Sequence, residues 1–80
     1  MIGIVILNYE TWDVTLQCME SIVEAETEEI IRIYLVDNAS TRKKPKEIDR
    51  FIEQHRVTYI EVAENRGYAA GNNLGICQAL

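Results

Sequence analysis

The sequence predicts an α/β fold, a three-layer Rossmann-like parallel sheet built in the order βαβαβα. Three apolar runs of strand length alternate with segments in which apolar residues recur at helical spacing. The first two runs stop abruptly at polar residues, and no internal repeat or low-complexity tract interrupts the pattern. This alternation is typical of parallel strands joined by right-handed helical crossovers.

The first half of the chain contains one strand and one helix. Ile2–Leu7 is a continuous aliphatic run, the pattern of a strand covered on both faces. Helix one follows over about residues 12–25, with Thr11 or Asp13 as its N-cap. Four apolar residues define its expected inner face: Trp12, Leu16, Met19 and Val23.

The second half contains two further strand and helix pairs. Strand two is Ile30–Val36, and helix two begins near Pro45, which suits a first helical turn. Strand three is Val57–Val62, and helix three begins near Ala69. The expected inward residues are Ile48, Phe51 and Ile52 in helix two, and Ala70, Leu74 and Cys77 in helix three.

Length and charge limit the functions that this chain can serve. It has 80 residues and a formal net charge of −5, which indicates one small domain and argues against a nucleic-acid partner. The one basic run, residues 42–46, is interpreted as a solvated turn, with an anionic ligand or a membrane surface as the alternative. Cys18 and Cys77 lack metal-ligand or redox spacing and are expected to be buried, reduced thiols.

The opening apolar run is too short to span a membrane, and it lacks the basic start of a signal peptide. We therefore expect a cytoplasmic protein, with peripheral attachment at the inner face of the membrane as a further option. His55 stands alone near the end of helix two, where a solvated or half-buried imidazole is expected. A Ser/His/Asp triad is accordingly not predicted.

The polar ends of the strands predict a site. In a parallel sheet Asn8, Asp37 and the loop over residues 64–67 emerge along one edge, where α/β proteins bind ligands. Asp37 has two open interpretations: it accepts hydrogen bonds from a ligand, or it caps the turn over residues 38–41. Tyr9 either stacks on a base or covers the edge of the core.

The segment after strand three is rich in glycine and asparagine. Gly67 and Gly71 would let the backbone approach a ligand closely, although glycine also serves tight turns. No dinucleotide-binding GxGxxG follows strand one, where Asn8-Tyr9-Glu10 stands instead, and no Walker A sequence is present.

Three segments carry a family resemblance: "VILNYETWDVTLQCMESI", "IYLVDNAS" and "NRGYAAGNNLGI". They resemble the opening motifs of family 2 glycosyltransferases, especially the branch that includes rhamnosyltransferases, in order and over nearly the whole chain. The resemblance implies a GT-A fold whose first half binds the nucleotide of an activated sugar. Asn8 and Tyr9 would then lie against the base and ribose, and Asp37 would accept the N3–H of the base. The implied nucleotide-binding set is Asn8, Tyr9, Asp37, Asn38, Asn65, Gly67, Gly71 and Asn72.

The same resemblance implies an inverting transfer from a UDP-sugar or dTDP-sugar to a hydroxyl of a glycan or lipid-linked acceptor, as in cell-wall or polysaccharide biosynthesis. A divalent metal, Mg²⁺ or Mn²⁺, held by a D-x-D motif would steady the leaving diphosphate. This sequence contains no D-x-D and ends within a predicted helix, so we expect a truncated, inactive donor-binding portion without catalytic residues. Its uncovered strand edges predict a homodimer. The alternative function is a non-enzymatic, receiver-like interaction module.

Overall fold

The computed structural model describes residues 1–25 and 27–62, which form three strands and two helices. In chain order these are β1 (Ile2–Asn8), α1 (Trp12–Glu24), β2 (Ile31–Asn38), α2 (Lys46–His55) and β3 (Thr58–Val62). The predicted elements are confirmed to within one or two residues at their ends. The helix expected from about Ala69 lies outside the described residues.

The three strands form one parallel sheet in the order β1-β2-β3. Its register pairs Ile2 with Ile31 at one end and Asn8 with Asp37 at the other, and it pairs Asp37 with Glu61 of β3. The predicted parallel sheet is therefore confirmed. Because all three strands run the same way, the polar ends of β1 and β2 lie side by side at the carboxyl edge.

Both helices pack against the same face of the sheet. The core cluster joins residues of α1, α2, β2 and the residue that precedes β3: Trp12, Met19, Ile33, Leu35, Ile48, Phe51 and Val57. Two successive right-handed crossovers that advance in the same direction place their helices on one face, which accounts for this arrangement. Residues 8 and 37 share that face with the core, because they continue the alternation of β1 and β2.

Strand β2 is buried on both faces. Residues 33–38 are all buried, and Tyr34, Val36 and Asn38 point to the face opposite the two helices. The sequence predicted a strand over Ile30–Val36, but it did not predict that both faces of this strand would be covered. Coverage on both faces was predicted for Ile2–Leu7 instead, and the described structure corrects this: Ile2 and Gly3 of β1 are exposed and residues 4–7 are half-buried, because β1 has a single strand neighbour in the described part of the sheet.

The inner face of α1 differs from the prediction. Trp12 and Met19 are buried as expected, but Thr15 is the third buried residue. Leu16 is half-buried and Val23 remains 40% exposed. Apolar spacing alone missed Thr15 because its hydroxyl is bonded inside the protein, which lets a polar side chain occupy a core position.

Three smaller predictions are also tested. Thr11 is the N-cap of α1, yet its side chain makes no capping hydrogen bond. Pro45 is the N-cap of α2, one position before the first helical residue. The expectation of a buried Cys18 is wrong, since this free thiol is exposed. Position 18 lies about 100° around the helix from buried Met19, and this rotation turns it to solvent.

Candidate functional site

Asn8, the last residue of β1, is the centre of a buried hydrogen-bond network. Its side chain is 0% exposed. Nδ2 donates to Asp37 Oδ1 at 2.9 Å and to Ser40 Oγ at 3.2 Å. Oδ1 accepts from Thr15 Oγ1 at 2.6 Å and from Thr11 Oγ1 at 3.3 Å. Both amide hydrogens and both acceptor positions are therefore used within the protein, and none is left for a ligand.

Asp37 lies beside Asn8 in the adjacent strand and is 2% exposed. Its Oδ1 accepts from Asn8 Nδ2 and from Ser40 Oγ, and its Oδ2 accepts from the backbone N–H of Ser40 at 3.2 Å. The bond to an amide three residues ahead shows that Asp37 caps the turn after β2, one of its two predicted roles. A role in ligand binding stays a prediction.

Ser40 connects the ends of β1 and β2. Its Oγ accepts from Asn8 Nδ2 and from the backbone N–H of Glu10, the latter at 2.9 Å, and it donates to Asp37 Oδ1. Ser40 is absent from the residues that the sequence predicted for the site. The available signal was the Asp-x-x-Ser spacing of a hydrogen-bonded turn.

Glu10 fastens the loop after β1 to the loop after β2. Its carboxylate accepts from the backbone N–H of Arg42 at 2.9 Å and from Thr41 Oγ1. The Thr41 hydrogen bond, followed by the Arg42 backbone hydrogen bond, lowers the pKa of Glu10 below its ordinary value of 4.5. A second link joins the same segments, because Trp12 Nε1 donates to the Arg42 carbonyl oxygen at 3.0 Å. The carboxyl edge is thus held together by side chains from both loops.

Backbone conformation at this edge is constrained at two residues. Glu10 has φ 61° and Ala39 has φ 59°, both in the left-handed region that favours glycine. Each residue belongs to a loop that leaves the end of a strand, and each lies next to a member of the network. Non-glycine residues in this region cluster at functional sites, so their placement supports a site at this edge.

A cleft of about 310 Å³ opens at the carboxyl ends of β2 and β3. Its lining residues are Asp37, Ala39, Ser40, Glu61 and Val62. This volume is at the lower end of the range for small-molecule sites. A cleft of about 390 Å³ lies between α1 and α2, but its position among helical residues makes it the weaker candidate, because open α/β sheets bind ligands at the strand ends.

The side of the site at β3 contains a tyrosine in an unusual electrostatic environment. Burial raises the pKa of Tyr59 to about 12, and the negative charges of Asp37, Glu61 and Asp49 act in the same direction. Lys44 Nζ lies 4.1 Å from the centre of the Tyr59 ring and 2.8 Å from Asp49 Oδ1. Within the basic run, Lys44 therefore packs against the protein and does not extend freely into solvent.

The other residues singled out from the sequence differ in their exposure and in their position relative to the site. Tyr9 follows β1 with its side chain 48% exposed, so its ring is open to solvent and does not seal the core. Asn38 is buried on the opposite sheet face from Asn8 and Asp37. His55 is exposed, as expected. Four predicted residues lie outside the described part of the chain: Asn65, Gly67, Gly71 and Asn72.

The described residues do not fit a metal ion. Within residues 1–25 and 27–62 no group of three or more His, Cys, Asp or Glu side chains is placed to hold one. Asp37 and Glu61 are neighbours in register, but Asp37 already accepts three hydrogen bonds. The carboxylates of the described residues are therefore not arranged as a metal site.

Comparison with known proteins confirms the fold. The chain is similar to the mannosyltransferase PcManGT from Pyrobaculum calidifontis, solved in complex with GDP-Man and Mn²⁺, with a TM-score of 0.85 and 24% identity. The match covers 99% of this chain and 24% of that one, so this chain spans about a quarter of the solved structure. The shared architecture is the GT-A fold.

The sequence comparisons identify the family. No curated protein matches the chain significantly. No helix in the described residues is long and apolar enough to cross a membrane. Residues 3–80 match the family model described as Glycosyl transferase family 2, which favours a transferase over a receiver-like module. Because that match covers nearly the whole sequence, the chain belongs to glycosyltransferase family 2.

Proposed function

We propose that the protein containing this chain transfers a sugar from a nucleotide-activated donor, and that this chain binds the nucleotide of the donor. Membership of family 2 supports the reaction class. The observation that carries the binding role is Asp37, a buried carboxylate held by three hydrogen bonds beside a cleft of about 310 Å³. A fixed acceptor beside a cleft at the carboxyl edge of a parallel sheet suits recognition of a base.

The proposed donor is a UDP-sugar or a dTDP-sugar. Uracil and thymine share an N3–H between two carbonyl groups, and a carboxylate is the natural acceptor for that hydrogen. The solved mannosyltransferase contains a GDP-sugar, so family membership alone does not decide the base. The choice of uracil or thymine rests on Asp37.

We assign separate tasks to the other residues of the site. Asn8 orients Asp37, because its own amide has no free hydrogen-bonding position. Tyr9, with its exposed ring, stacks on the base. Asn38 and the segment beyond the described residues complete the nucleotide pocket, with these further members: Asn65, Gly67, Gly71 and Asn72.

The remaining chemistry is assigned to other parts of the protein. We propose an inverting transfer to a hydroxyl of a glycan or lipid-linked acceptor in polysaccharide or cell-wall synthesis at the cytoplasmic side. Rhamnose or a hexose is the proposed sugar. The reaction requires Mg²⁺ or Mn²⁺, whose D-x-D ligands do not occur in this sequence. The 80-residue chain alone should therefore bind nucleotide without transferring sugar.

We also propose that the chain forms homodimers. Apolar side chains are exposed at the amino-terminal end of the strands: Met1 66%, Ile2 43% and Ile30 67%. Among the described strands, β1 and β3 each have one neighbour, and uncovered edges and apolar surface favour association. Light scattering at increasing concentration should show a dimer, and a monomer throughout would refute this assignment.

The binding proposal is tested by titration calorimetry with UDP, dTDP and ADP. Asp37→Ala should weaken UDP binding by about 1–3 kcal/mol, or about five- to 150-fold, because a hydrogen bond to a charged acceptor is lost. Glu53→Ala, which removes an exposed carboxylate on α2, is the matched control. Circular dichroism should verify that Asp37→Ala is folded, because this substitution removes the acceptor of hydrogen bonds from Asn8 and Ser40.

Two results would contradict the proposal. Equal UDP affinity in folded Asp37→Ala and in Glu53→Ala would remove Asp37 from the site. Failure of the purified protein to bind any nucleoside diphosphate would remove the nucleotide-binding function itself.

A further inference from the structure

Ser40 orients its hydroxyl hydrogen toward Asp37. The Ser40 oxygen accepts from Asn8 Nδ2 at 3.2 Å and from the Glu10 backbone N–H at 2.9 Å. A hydroxyl has two acceptor positions and one hydrogen. With both acceptor positions filled, the hydrogen is left for the third neighbour, Asp37 Oδ1. The end of β1 and the loop after it therefore fix the orientation of the Ser40 hydroxyl.

This arrangement leaves Asp37 with one open acceptor position among the described residues. A carboxylate offers about four acceptor positions, two on each oxygen. Oδ1 accepts from Asn8 Nδ2 and from the Ser40 hydroxyl, and both of its positions are filled. Within residues 1–25 and 27–62, Oδ2 accepts from the Ser40 backbone N–H alone. A ligand can therefore donate one hydrogen bond to Asp37, and it must do so at Oδ2.

Nucleobases differ in what they present to such an acceptor. Uracil and thymine each donate a single N3–H from the Watson–Crick edge. Guanine presents two adjacent donors, N1–H and the 2-amino group, which suit a carboxylate with both oxygens open. With Oδ1 filled, one of the two guanine donors lacks a partner on Asp37, and a polar group that loses its partner on binding discriminates strongly between similar ligands.

We propose that Ser40 is a positioning residue that determines base specificity: by filling Oδ1 of Asp37, it restricts the site to bases that donate a single N–H. This inference rests on the proposed nucleotide-binding function and extends it from Asp37 to a residue that acts through Asp37. It favours uridine and thymidine nucleotides over guanosine nucleotides. Hypoxanthine, which has N1–H but no 2-amino group, should be accepted better than guanine.

The first test compares ligands on the unaltered protein and needs no variant. Titration calorimetry with UDP, GDP and inosine diphosphate should give binding of UDP that is about five- to 150-fold tighter than that of GDP, the scale of one unpaired buried donor. Inosine diphosphate should also bind more tightly than GDP, because the two differ only in the 2-amino group. Equal binding of GDP and inosine diphosphate, or tighter binding of GDP, would overturn the proposal.

The second test changes Ser40. Ser40→Ala opens Oδ1 and should reduce the preference for inosine diphosphate over GDP by at least about fivefold, whereas Ser40→Thr keeps the hydroxyl and should keep the preference. Ser21→Ala is the control, since its hydroxyl is exposed and bonds only the Gln17 carbonyl among the described residues. If Ser40 has only a structural role, Ser40→Ala should weaken the binding of all three diphosphates by the same factor. The ratios of their affinities would then be unchanged, which would overturn the proposal.

Nucleotide binding and the specificity role of Ser40 can be refuted separately. If the unaltered protein binds none of the three diphosphates, the proposed nucleotide-binding function is wrong, and the role of Ser40 is wrong with it. If it binds UDP but does not distinguish inosine diphosphate from GDP, nucleotide binding stands and only the specificity role of Ser40 is refuted.

Discussion

Thr15→Val tests whether the buried network at the carboxyl edge stabilises the fold. The substitution exchanges a hydroxyl for a methyl group of similar size, so it leaves little cavity. Thr15 is buried, and its hydroxyl donates to Asn8 Oδ1 at 2.6 Å. The only other donor to that oxygen among the described residues is Thr11, at 3.3 Å. The variant therefore removes the shorter of the two bonds to the Asn8 carbonyl oxygen.

The expected loss follows from the state of Asn8 after the substitution. A typical hydrogen bond contributes about 0.5–1.5 kcal/mol, and a buried acceptor left without a partner costs about 1–3 kcal/mol. Asn8 Oδ1 keeps its longer bond to Thr11, so we expect a loss of about 1–2 kcal/mol. A folded domain of this size has about 4–12 kcal/mol of stability, and each kcal/mol lowers Tm by about 4–8 °C.

The assay is urea unfolding followed by circular dichroism, with Thr11→Val as the matched control. Thr11 is exposed and makes the longer bond to the same atom, so its substitution should cost less than about 0.5 kcal/mol. Thr15→Val should lower the midpoint with an unchanged m-value. Equal losses in the two variants, or no loss in Thr15→Val, would refute the reasoning that the short bond to Asn8 holds this edge together.

Two further predictions concern pH. Hydrogen bonds from Thr41 and Arg42 lower the pKa of Glu10 in the folded state below 4.5, so its stabilising effect is present above that pH and is lost as pH falls through the folded-state pKa. The Tm difference between the unaltered chain and Glu10→Gln should therefore vanish in acid, and a pH-independent difference would contradict this. The pKa of Tyr59 is raised to about 12 from 10.0, so its neutral form is favoured on folding and stability should fall as pH rises from about 10 to about 12. Ultraviolet titration should show a late-ionising component that is lost in Tyr59→Phe, and persistence of that component in the variant would assign it elsewhere.

The sequence by itself determined the chain order of the three strands and the first two helices, and the edge of the sheet at which a site could form. The apolar run from Ile30 to Val36 indicated a strand because an uninterrupted aliphatic run of this length is typical of a strand in a parallel sheet. Asp37 could be placed at the carboxyl edge because parallel strands end on the same side of a sheet. These inferences succeed because they depend on local pattern and on a general rule of topology.

Only the tertiary structure decided which side chains meet at that edge. Asn8 and Asp37 are 29 residues apart, and their contact depends on the register between β1 and β2. Thr15 replaces an apolar residue on the inner face of α1 because Asn8 supplies its hydrogen-bond partner. Ser40 and Glu10 join the network from two loops. In these loops, Glu10 and Ala39, the residue before Ser40, have positive φ values. Hydrogen bonds between distant residues require a defined register and defined loop conformations, and local periodicity contains neither.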